Sequence, residues 1–342
     1  MRWNEEKGRT SKMMKIGNGQ YEKLGMELYR SLPDYRSKYL NPAEATPSQI
    51  ACLMGLLRSY RFEDGRRINN ALEVGVNQGI SDLYMLKAGS ENPDFHLYGI
   101  EKMTDTFFGS ATYAECTPEE LAHWTFCKGQ TTFDITSILR EDEKLDMIFI
   151  DGAHAHPYPL MDMIMLRPYL APDALIIFHD VETYIEDGEF GNCYLYTGWR
   201  GEKYLNWNVD NQKLEPVNTE YMGICRLPAE DVLQESLLEL ANLQIDESFF
   251  PYTDAQMAAR GGQLGLDVPM LATSFLPFLL RKYDKPFALK FWNALSHRVE
   301  EHNQQWIYLK HRNRISHWYQ QQILALHGRV TALEQRMAQL EK

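Results

Sequence analysis

Short apolar runs alternate with helical patterns between about residue 70 and residue 181. Five runs have the length and composition of strands: 71–75, 95–100, 124–127, 145–150 and 174–178. Helical patterns lie between several of them, most clearly at 80–87 and 158–170. This alternation predicts βαβ units and a parallel sheet that is buried on both faces. The predicted fold class is therefore α/β, with a doubly wound sheet.

Helical sequence flanks this segment on both sides. A start signal at Thr46-Pro47-Ser48, followed by apolar residues at three- and four-residue spacing, predicts a helix over 47–60. A last strand is expected at 221–227, with helices after it. We divide the chain into four parts: a helical lead-in (1–68), a central α/β domain (69–228), a helical extension (229–295) and a long C-terminal helix (296–342).

The C-terminal helix carries an apolar heptad ladder. Its members alternate between three- and four-residue spacing: Ile323, Leu326, Val330, Leu333, Met337 and Leu340. About three heptads are marginal for a coiled coil alone, but they can join subunits that already touch. We expect a homo-oligomer formed through this helix. The alternative is an amphipathic helix that docks on its own domain.

Composition excludes several classes of protein. With 44% apolar and 12% aromatic residues in 342, the chain is neither disordered nor collagen-like. The net charge of −12 argues against a nucleic-acid partner, because such a partner needs a basic face. Five dispersed cysteines without a CxxC pair predict reduced thiols. Neither a secretory signal nor a transmembrane run is visible, so we expect a cytoplasmic protein.

The first candidate site is the turn after the first strand, Glu73-Val-Gly75-Val-Asn-Gln-Gly79. Glycines at a strand-to-helix turn let the backbone approach a ligand closely. The spacing is GxxxG rather than the GxGxxG of dinucleotide-binding turns, which disfavours an NAD-dependent oxidoreductase. A nucleoside ligand without a phosphate fits this turn. Tight packing of the strand on the helix is the other interpretation.

Acidic and histidine side chains follow three of the strands. Glu101 ends the second strand, where a carboxylate can accept hydrogen bonds from both hydroxyls of a ribose. Asp151 and His154 follow the fourth strand, and His179-Asp180 follows the fifth. Because open α/β sheets bind ligands at the carboxyl ends of their strands, the last four should converge. They could hold a divalent cation and deprotonate a hydroxyl; the alternatives are a helix-capping Asp and a His bonded to backbone.

Four segments carry a resemblance to a known family: LEVGVNQG (72–79), YGIE (98–101), FIDGAHAHPYPLMDM (149–163) and LRPYLAPDALIIFHDV (166–181). With them the chain resembles the class I S-adenosylmethionine (SAM)-dependent methyltransferases. The similar branch contains sugar and macrolide O-methyltransferases and cephalosporin-hydroxylase-like proteins. The resemblance covers about residues 70–228 and implies a Rossmann-like methyltransferase sheet in the central domain.

The resemblance also implies a role for each site residue. Glu73, Gly75 and Gly79 would line the methionine end of SAM, Glu101 would hold the ribose, and Gln130 would approach the adenine. Asp151 would lie beside the sulfonium. In metal-dependent relatives the residue at this position would also ligate Mg²⁺, together with Asp180. His154 matches the position proposed as the general base in sugar-methylating relatives.

One departure from the family concerns the metal. Relatives often have two adjacent acids at the end of the fifth strand, whereas this chain has His179-Asp180. An imidazole ligand at His179 weakens a Mg²⁺ site and favours softer metals. His179 is therefore a candidate both as a metal ligand, with Asp151 and Asp180, and as a catalytic residue.

The sequence thus predicts a SAM-dependent O-methyltransferase that acts on a hydroxyl of a small molecule or saccharide. Aromatic residues of the loop 184–207 are candidates for the acceptor pocket, or else pack the surface. Two alternatives remain open at this point. One is an N-methyltransferase on the same fold, and the other is a SAM-binding scaffold that assembles a complex through its coiled-coil tail.

Overall fold

The computed structural model describes residues 19–39, 45–181, 191–206, 222–245 and 268–304. Within them, one seven-stranded sheet forms the centre of the fold. Its strands are β1 (Asn70–Val74), β2 (His96–Glu101), β3 (Trp124–Lys128), β4 (Leu145–Ile150), β5 (Leu170–Phe178), β6 (Lys203–Leu205) and β7 (Gly223–Arg226). The order across the sheet is β3-β2-β1-β4-β5-β7-β6.

Strands β1 to β5 are parallel to one another. The chain adds β2 and β3 on one side of β1 and then returns to add β4 and β5 on the other, so the order reverses between β1 and β4. Such a switch point opens a crevice at the carboxyl ends of the strands, where α/β proteins bind ligands. The predicted doubly wound α/β sheet is confirmed, and this crevice is where the candidate residues lie.

The expected last strand at 221–227 is present as β7, and it makes one edge of the sheet antiparallel. Strand β7 runs antiparallel to both β5 and β6. An apolar run predicts a strand but not its direction relative to a neighbour, so the sequence did not predict this pairing. The start of β5 also differs from the prediction, because the strand begins at Leu170 and includes Pro172. An irregular register against β4 accommodates this proline.

Helices cover both faces of the sheet: α1 (Gln20–Ser31), α2 (Tyr35–Tyr39), α3 (Pro47–Ser59), α4 (Ile80–Gly89), α5 (Ser110–Glu115), α6 (Pro118–Leu121), α7 (Ile135–Ile138), α8 (Tyr158–Leu166), α9 (Gly191–Gly198), α10 (Glu230–Ala241), α11 (Val268–Lys282) and α12 (285–304). Alternate residues of β4 belong to two different apolar clusters. Met147 and Phe149 pack with α1, α3 and α4, whereas Ile148 and Ile150 pack with α8, α10, α11 and α12. The lead-in and the extension thus supply the two outer layers.

Helices α1 and α3 of the lead-in cross with their backbones in close contact. A Cβ on Gly25 of α1 would lie 1.7 Å from the carbonyl oxygen of Ala51 in α3, so only glycine allows this crossing. The predicted helix at 47–60 is confirmed as α3, and its start has a capping box in which Thr46 and Gln49 bond each other's backbone N–H. Helix α3 in turn packs on α4, which directly follows the glycine turn.

The C-terminal helices complete the second face. Helix α12 continues to residue 304, where the described residues end. The predicted heptad ladder from Ile323 to Leu340 lies outside the described residues. No helix of the described chain has the length and apolarity that a membrane span requires.

Candidate functional site

Four ionisable side chains meet at the carboxyl ends of β4 and β5. Asp151 directly follows β4 and His154 lies three residues further on, while His179 and Asp180 directly follow β5. The two strands are parallel neighbours whose last residues pair in register, so both segments leave the sheet side by side. One nitrogen or carboxylate oxygen of each residue lies within 4.8 Å of those of the other three. We call these four residues the Asp–His cluster.

Each imidazole of the Asp–His cluster contacts both carboxylates. His179 Nδ1 lies 3.1 Å from Asp151 Oδ1 and 3.0 Å from Asp180 Oδ1. His154 Nε2 lies 3.3 Å from Asp151 Oδ1, and its Nδ1 lies 3.4 Å from Asp180 Oδ2. Each histidine is therefore paired with both aspartates, and each aspartate with both histidines.

His179 is the most deeply buried member, with 3% of its surface exposed. Its Nδ1 makes no hydrogen bond despite the short distances, and within the described chain neither its Nε2 nor Asp180 Oδ1 has a hydrogen-bond partner. Buried polar atoms without partners are rare in folded proteins, and each calls for an explanation such as a bound ion or water. The cluster thus has the orphaned buried atoms expected of a ligand site.

The cluster shifts the pKa values of its own members. Burial raises the pKa of Asp151, but the imidazoles of His179 and His154 outweigh burial and lower the value to about 2. Burial lowers the pKa of each histidine, and the two carboxylates reverse this effect. The pKa of His154 is raised as a result, and that of His179 is raised well above its usual value. Asp151 is therefore an anion at any physiological pH.

The backbone at the site is strained in two places. Asp180 has φ 51° and Asn77, in the glycine turn, has φ 49°. Residues with a Cβ rarely occupy this left-handed region, and such outliers are concentrated at functional sites. In Asp180 the strained backbone presents the carboxylate to the cluster.

The glycine turn is joined directly to the cluster. A Cβ on Gly75, which has φ 91°, would lie 2.2 Å from the carbonyl oxygen of Asp151. The Asp151 N–H donates to the Val74 carbonyl at 2.9 Å. Gly79 accepts a hydrogen bond from Thr112 Oγ1 at its carbonyl, at 2.7 Å. The turn after β1 and the loop after β4 thus form one continuous surface.

Glu73 is fully buried beneath this turn. Its carboxylate accepts a hydrogen bond from Ser81, and it lies against the buried Asp82, which accepts from Trp124 Nε1 at 2.8 Å. Burial, together with the neighbouring Asp82 carboxyl, raises the pKa of Glu73 well above its usual value. With no exposed surface, Glu73 acts on a ligand only through the turn that it supports.

Glu101 lies beside the glycine turn, at the end of β2, and is 7% exposed. Its Oε2 accepts from the Asn77 N–H at 2.9 Å, and its Oε1 accepts from the Met103 N–H at 2.8 Å. Gln130 follows β3 beside it, half-buried, with its N–H directed to the Glu101 carbonyl at 3.2 Å. The sequence-predicted residues at the ends of β1, β2 and β3 are therefore neighbours along one rim.

The predicted acceptor aromatics are divided between core and surface. Trp199 is 3% exposed, donates from Nε1 to the Arg226 carbonyl at 2.9 Å and packs against Phe178. It is a core residue, so its predicted place in an acceptor pocket was wrong. Tyr194 and Tyr204 are half-buried.

Sequence reasoning missed the start of helix α9. Gly191 donates from its N–H to the His154 carbonyl at 2.7 Å, and Asn192, 1% exposed, donates from Nδ2 to the Ile150 carbonyl at 3.4 Å. Both contacts hold the loop that presents Asp151 and His154. A single Gly-Asn pair has no spacing signal, so only the folded chain shows this role.

Asp162 of α8 gives a prediction about pH and stability. Burial raises its pKa to about 7, against the opposing effect of the Thr132 hydroxyl, which donates to it at 2.5 Å. From about pH 4 to about pH 7 the folded protein binds a proton that the unfolded chain has released, so stability falls as pH rises. In Asp162→Asn this loss disappears. The unfolding free energy of the variant relative to that of wild type should therefore rise by about 2–3 kcal/mol from pH 5 to pH 8.

Urea unfolding at both pH values checks this expectation. The exposed Asp142→Asn is the matched control and should show no such change. A difference between Asp162→Asn and wild type that is constant with pH would contradict the assignment.

A family model described as a methyltransferase domain matches residues 72–181. This segment is similar to methyltransferase domains. The match begins in β1 and ends directly after Asp180, so it contains the glycine turn, Glu101 and the whole Asp–His cluster. The matched segment accounts for about a third of the chain, and the outer helices α1, α3, α10, α11 and α12 lie outside it.

Solved structures with a general likeness to the chain include O-methyltransferases. TomG of Streptomyces achromogenes, involved in tomaymycin synthesis and crystallised with SAM, is 17% identical; the match covers 64% of this chain and 93% of TomG, with a TM-score of 0.39. An O-methyltransferase of Bacillus cereus in complex with SAH is 13% identical, over 60% of this chain and 90% of its own, with a TM-score of 0.40. At these scores the likeness carries no argument about ligand or acceptor. No curated protein matches the sequence significantly.

Proposed function

We propose that this protein is a SAM-dependent O-methyltransferase that methylates a hydroxyl of a small molecule or saccharide. The observation that carries the proposal is the junction of the Asp–His cluster with the glycine turn at the switch point of a methyltransferase domain. Open α/β sheets bind their ligands at this place. Through this junction the predicted cofactor turn adjoins the cluster that contains the predicted proton acceptor, His154.

The rim residues fit a nucleoside cofactor. Gly75 and Gly79 expose backbone at the turn, and Glu101 holds the turn and the Met103 segment together from its two carboxylate oxygens. Each carboxylate oxygen has a second lone pair, with which Glu101 accepts from ribose hydroxyls. Gln130, whose N–H is directed to the Glu101 carbonyl, would approach the adenine. When bound, SAM supplies an electrophilic methyl group, and the anionic Asp151 lies where its sulfonium charge would be stabilised.

His154 is proposed as the general base. Its ring is 22% exposed, whereas His179 is almost completely enclosed, so His154 is the imidazole that an acceptor hydroxyl can reach. Its contacts with the two carboxylates are long, at 3.3 and 3.4 Å, and a bound hydroxyl replaces one of them. Asp151 and Asp180 then stabilise the imidazolium that forms when His154 takes the hydroxyl proton.

A divalent cation also fits the cluster. Asp151, His179 and Asp180 would hold it, since orphaned buried atoms are present on two of these residues. The cation would supply a positive charge that lowers the pKa of a neighbouring hydroxyl. The chain's own residues mainly hold the two reactants in line, and this positioning lowers the barrier to the transfer.

The cofactor can be tested by calorimetry with SAM, SAH and NAD⁺. We expect one site for SAM and SAH and no binding of NAD⁺; the reverse result would exclude the proposal. Release of SAH over matched panels of hydroxyl and amine acceptors then separates O- from N-methylation. Binding of SAM without turnover on any acceptor would favour the scaffold alternative.

A further inference from the structure

We propose that the Asp–His cluster binds a first-row transition-metal ion in preference to Mg²⁺, and that His179 is the ligand that sets this preference. The inference deepens the proposed function and rests on it for the task of the ion in the reaction. Binding of the ion, by contrast, needs only the geometry of Asp151, His179 and Asp180. The two claims can therefore fail separately.

The distances between side-chain atoms of the cluster are those expected between ligand atoms of a single metal ion. For metal–ligand bonds of about 2.1 Å, two donors lie about 3.0 Å apart at a right angle and about 3.4 Å apart at the tetrahedral angle. His179 Nδ1 lies 3.1 Å from Asp151 Oδ1 and 3.0 Å from Asp180 Oδ1. One nitrogen and two carboxylate oxygens are thus gathered at the separation of neighbouring ligands.

The same contacts are poor hydrogen bonds. His179 Nδ1 makes none with either carboxylate, and Asp180 Oδ1 has no hydrogen-bond partner in the described chain. An imidazole that only paired with these acids would point an N–H at one of them. Here the nitrogen lies at nearly the same distance from both oxygens, which suits a lone pair that is shared with neither and is directed at an ion. The left-handed backbone of Asp180 (φ 51°) maintains this arrangement at the cost of strain.

Ligand chemistry decides which ion the cluster prefers. Mg²⁺ requires oxygen ligands in a near-ideal octahedron and dehydrates reluctantly, whereas imidazole suits Fe²⁺, Co²⁺, Ni²⁺ and Zn²⁺. The cluster offers a buried nitrogen where a carboxylate would complete an all-oxygen set. His179 cannot turn away from the ion, because its ring is enclosed and packs edge-on against Phe149.

Calorimetry on the chelator-treated, untagged full chain tests the preference. We expect Co²⁺ and Zn²⁺ to bind with one ion per chain and at least about tenfold more tightly than Mg²⁺. In His179→Asp the ligand set becomes all oxygen, so Mg²⁺ should bind more tightly, Co²⁺ less tightly, and the preference should fall to about threefold or less. Equal affinities in the wild type, an unchanged preference in His179→Asp, or no stoichiometric binding would overturn the proposal.

Two further variants make the result independent of whether His179→Asp folds. His297→Ala removes a surface imidazole that is 67% exposed and outside the cluster, and it should leave both affinities unchanged. In His154→Gln with Mn²⁺ bound, nitrogen coupling in the electron spin echo should persist, because His179 remains a ligand. Loss of that coupling would assign the nitrogen to His154 and overturn the role of His179. Since SAM and acceptor are absent throughout, failure here leaves the methyl-transfer proposal intact.

Discussion

Asp151→Asn is expected to lower the rate of methyl transfer by at least about a thousandfold. The carboxylate contacts both imidazoles of the cluster, so its removal takes the charge partner from His154 and one ligand from the cation site. Asparagine has nearly the same shape, and the backbone contacts of this residue with Val74 and Gly75 are retained. The loss should therefore appear in kcat more than in the KM for the acceptor.

Initial rates of SAH formation at saturating SAM measure this effect. Asp142→Asn is the matched control, since its side chain is 82% exposed and carries the same change of charge. It should retain wild-type activity. An Asp151→Asn rate within a few-fold of wild type would remove Asp151 from the reaction.

Glu101→Ala is expected to weaken SAM binding by about a hundredfold. Two charge-assisted hydrogen bonds to the ribose, worth about 1.5 kcal/mol each, correspond to a loss of this size. The same change frees the N–H groups of Asn77 and Met103, which loosens the glycine turn. Calorimetric titration with SAH measures the dissociation constant without turnover.

A second variant separates the ribose contact from the support of the turn. Glu101→Gln has one carbonyl oxygen in place of two carboxylate oxygens, so we expect an intermediate loss of about tenfold. Glu119→Gln, on the exposed surface of α6, is the control and should bind SAH as the wild type does. If Glu101→Ala bound SAH normally, the ribose would lie elsewhere.

The sequence predicted the structure best for the central strands, because burial on both faces of the sheet restricts them to apolar residues. The predicted strand at Leu145–Ile150 matches the structure residue for residue, since a short run that is apolar at every position but Asp146 is typical of a strand buried on both faces of the sheet. The convergence of Asp151, His154, His179 and Asp180 followed from the same logic. Parallel strands end at one edge, so residues just after them meet there.

The sequence predicted less about side chains whose environment depends on residues distant in the chain. An acid after a strand looks the same whether it faces a ligand or a helix, and the burial of Glu73 depends on Ser81 and Asp82 in α4. Trp199 in a polar, aromatic loop gave no sign that it would reach Phe178 in the core. The role of Asn192 beneath the loop that carries Asp151 and His154 likewise depends on a long-range hydrogen bond, to the Ile150 carbonyl.

Transfer of a labelled methyl group tests the central claim most directly. The protein is incubated with SAM carrying a trideuterated methyl group and a panel of small-molecule and saccharide hydroxyls, and the products are fragmented in a mass spectrometer. The account predicts a product with the trideuterated methyl on oxygen, one equivalent of SAH for each product, and neither with Asp151→Asn. Label on nitrogen, or SAM that is bound but never consumed across the panel, would contradict it.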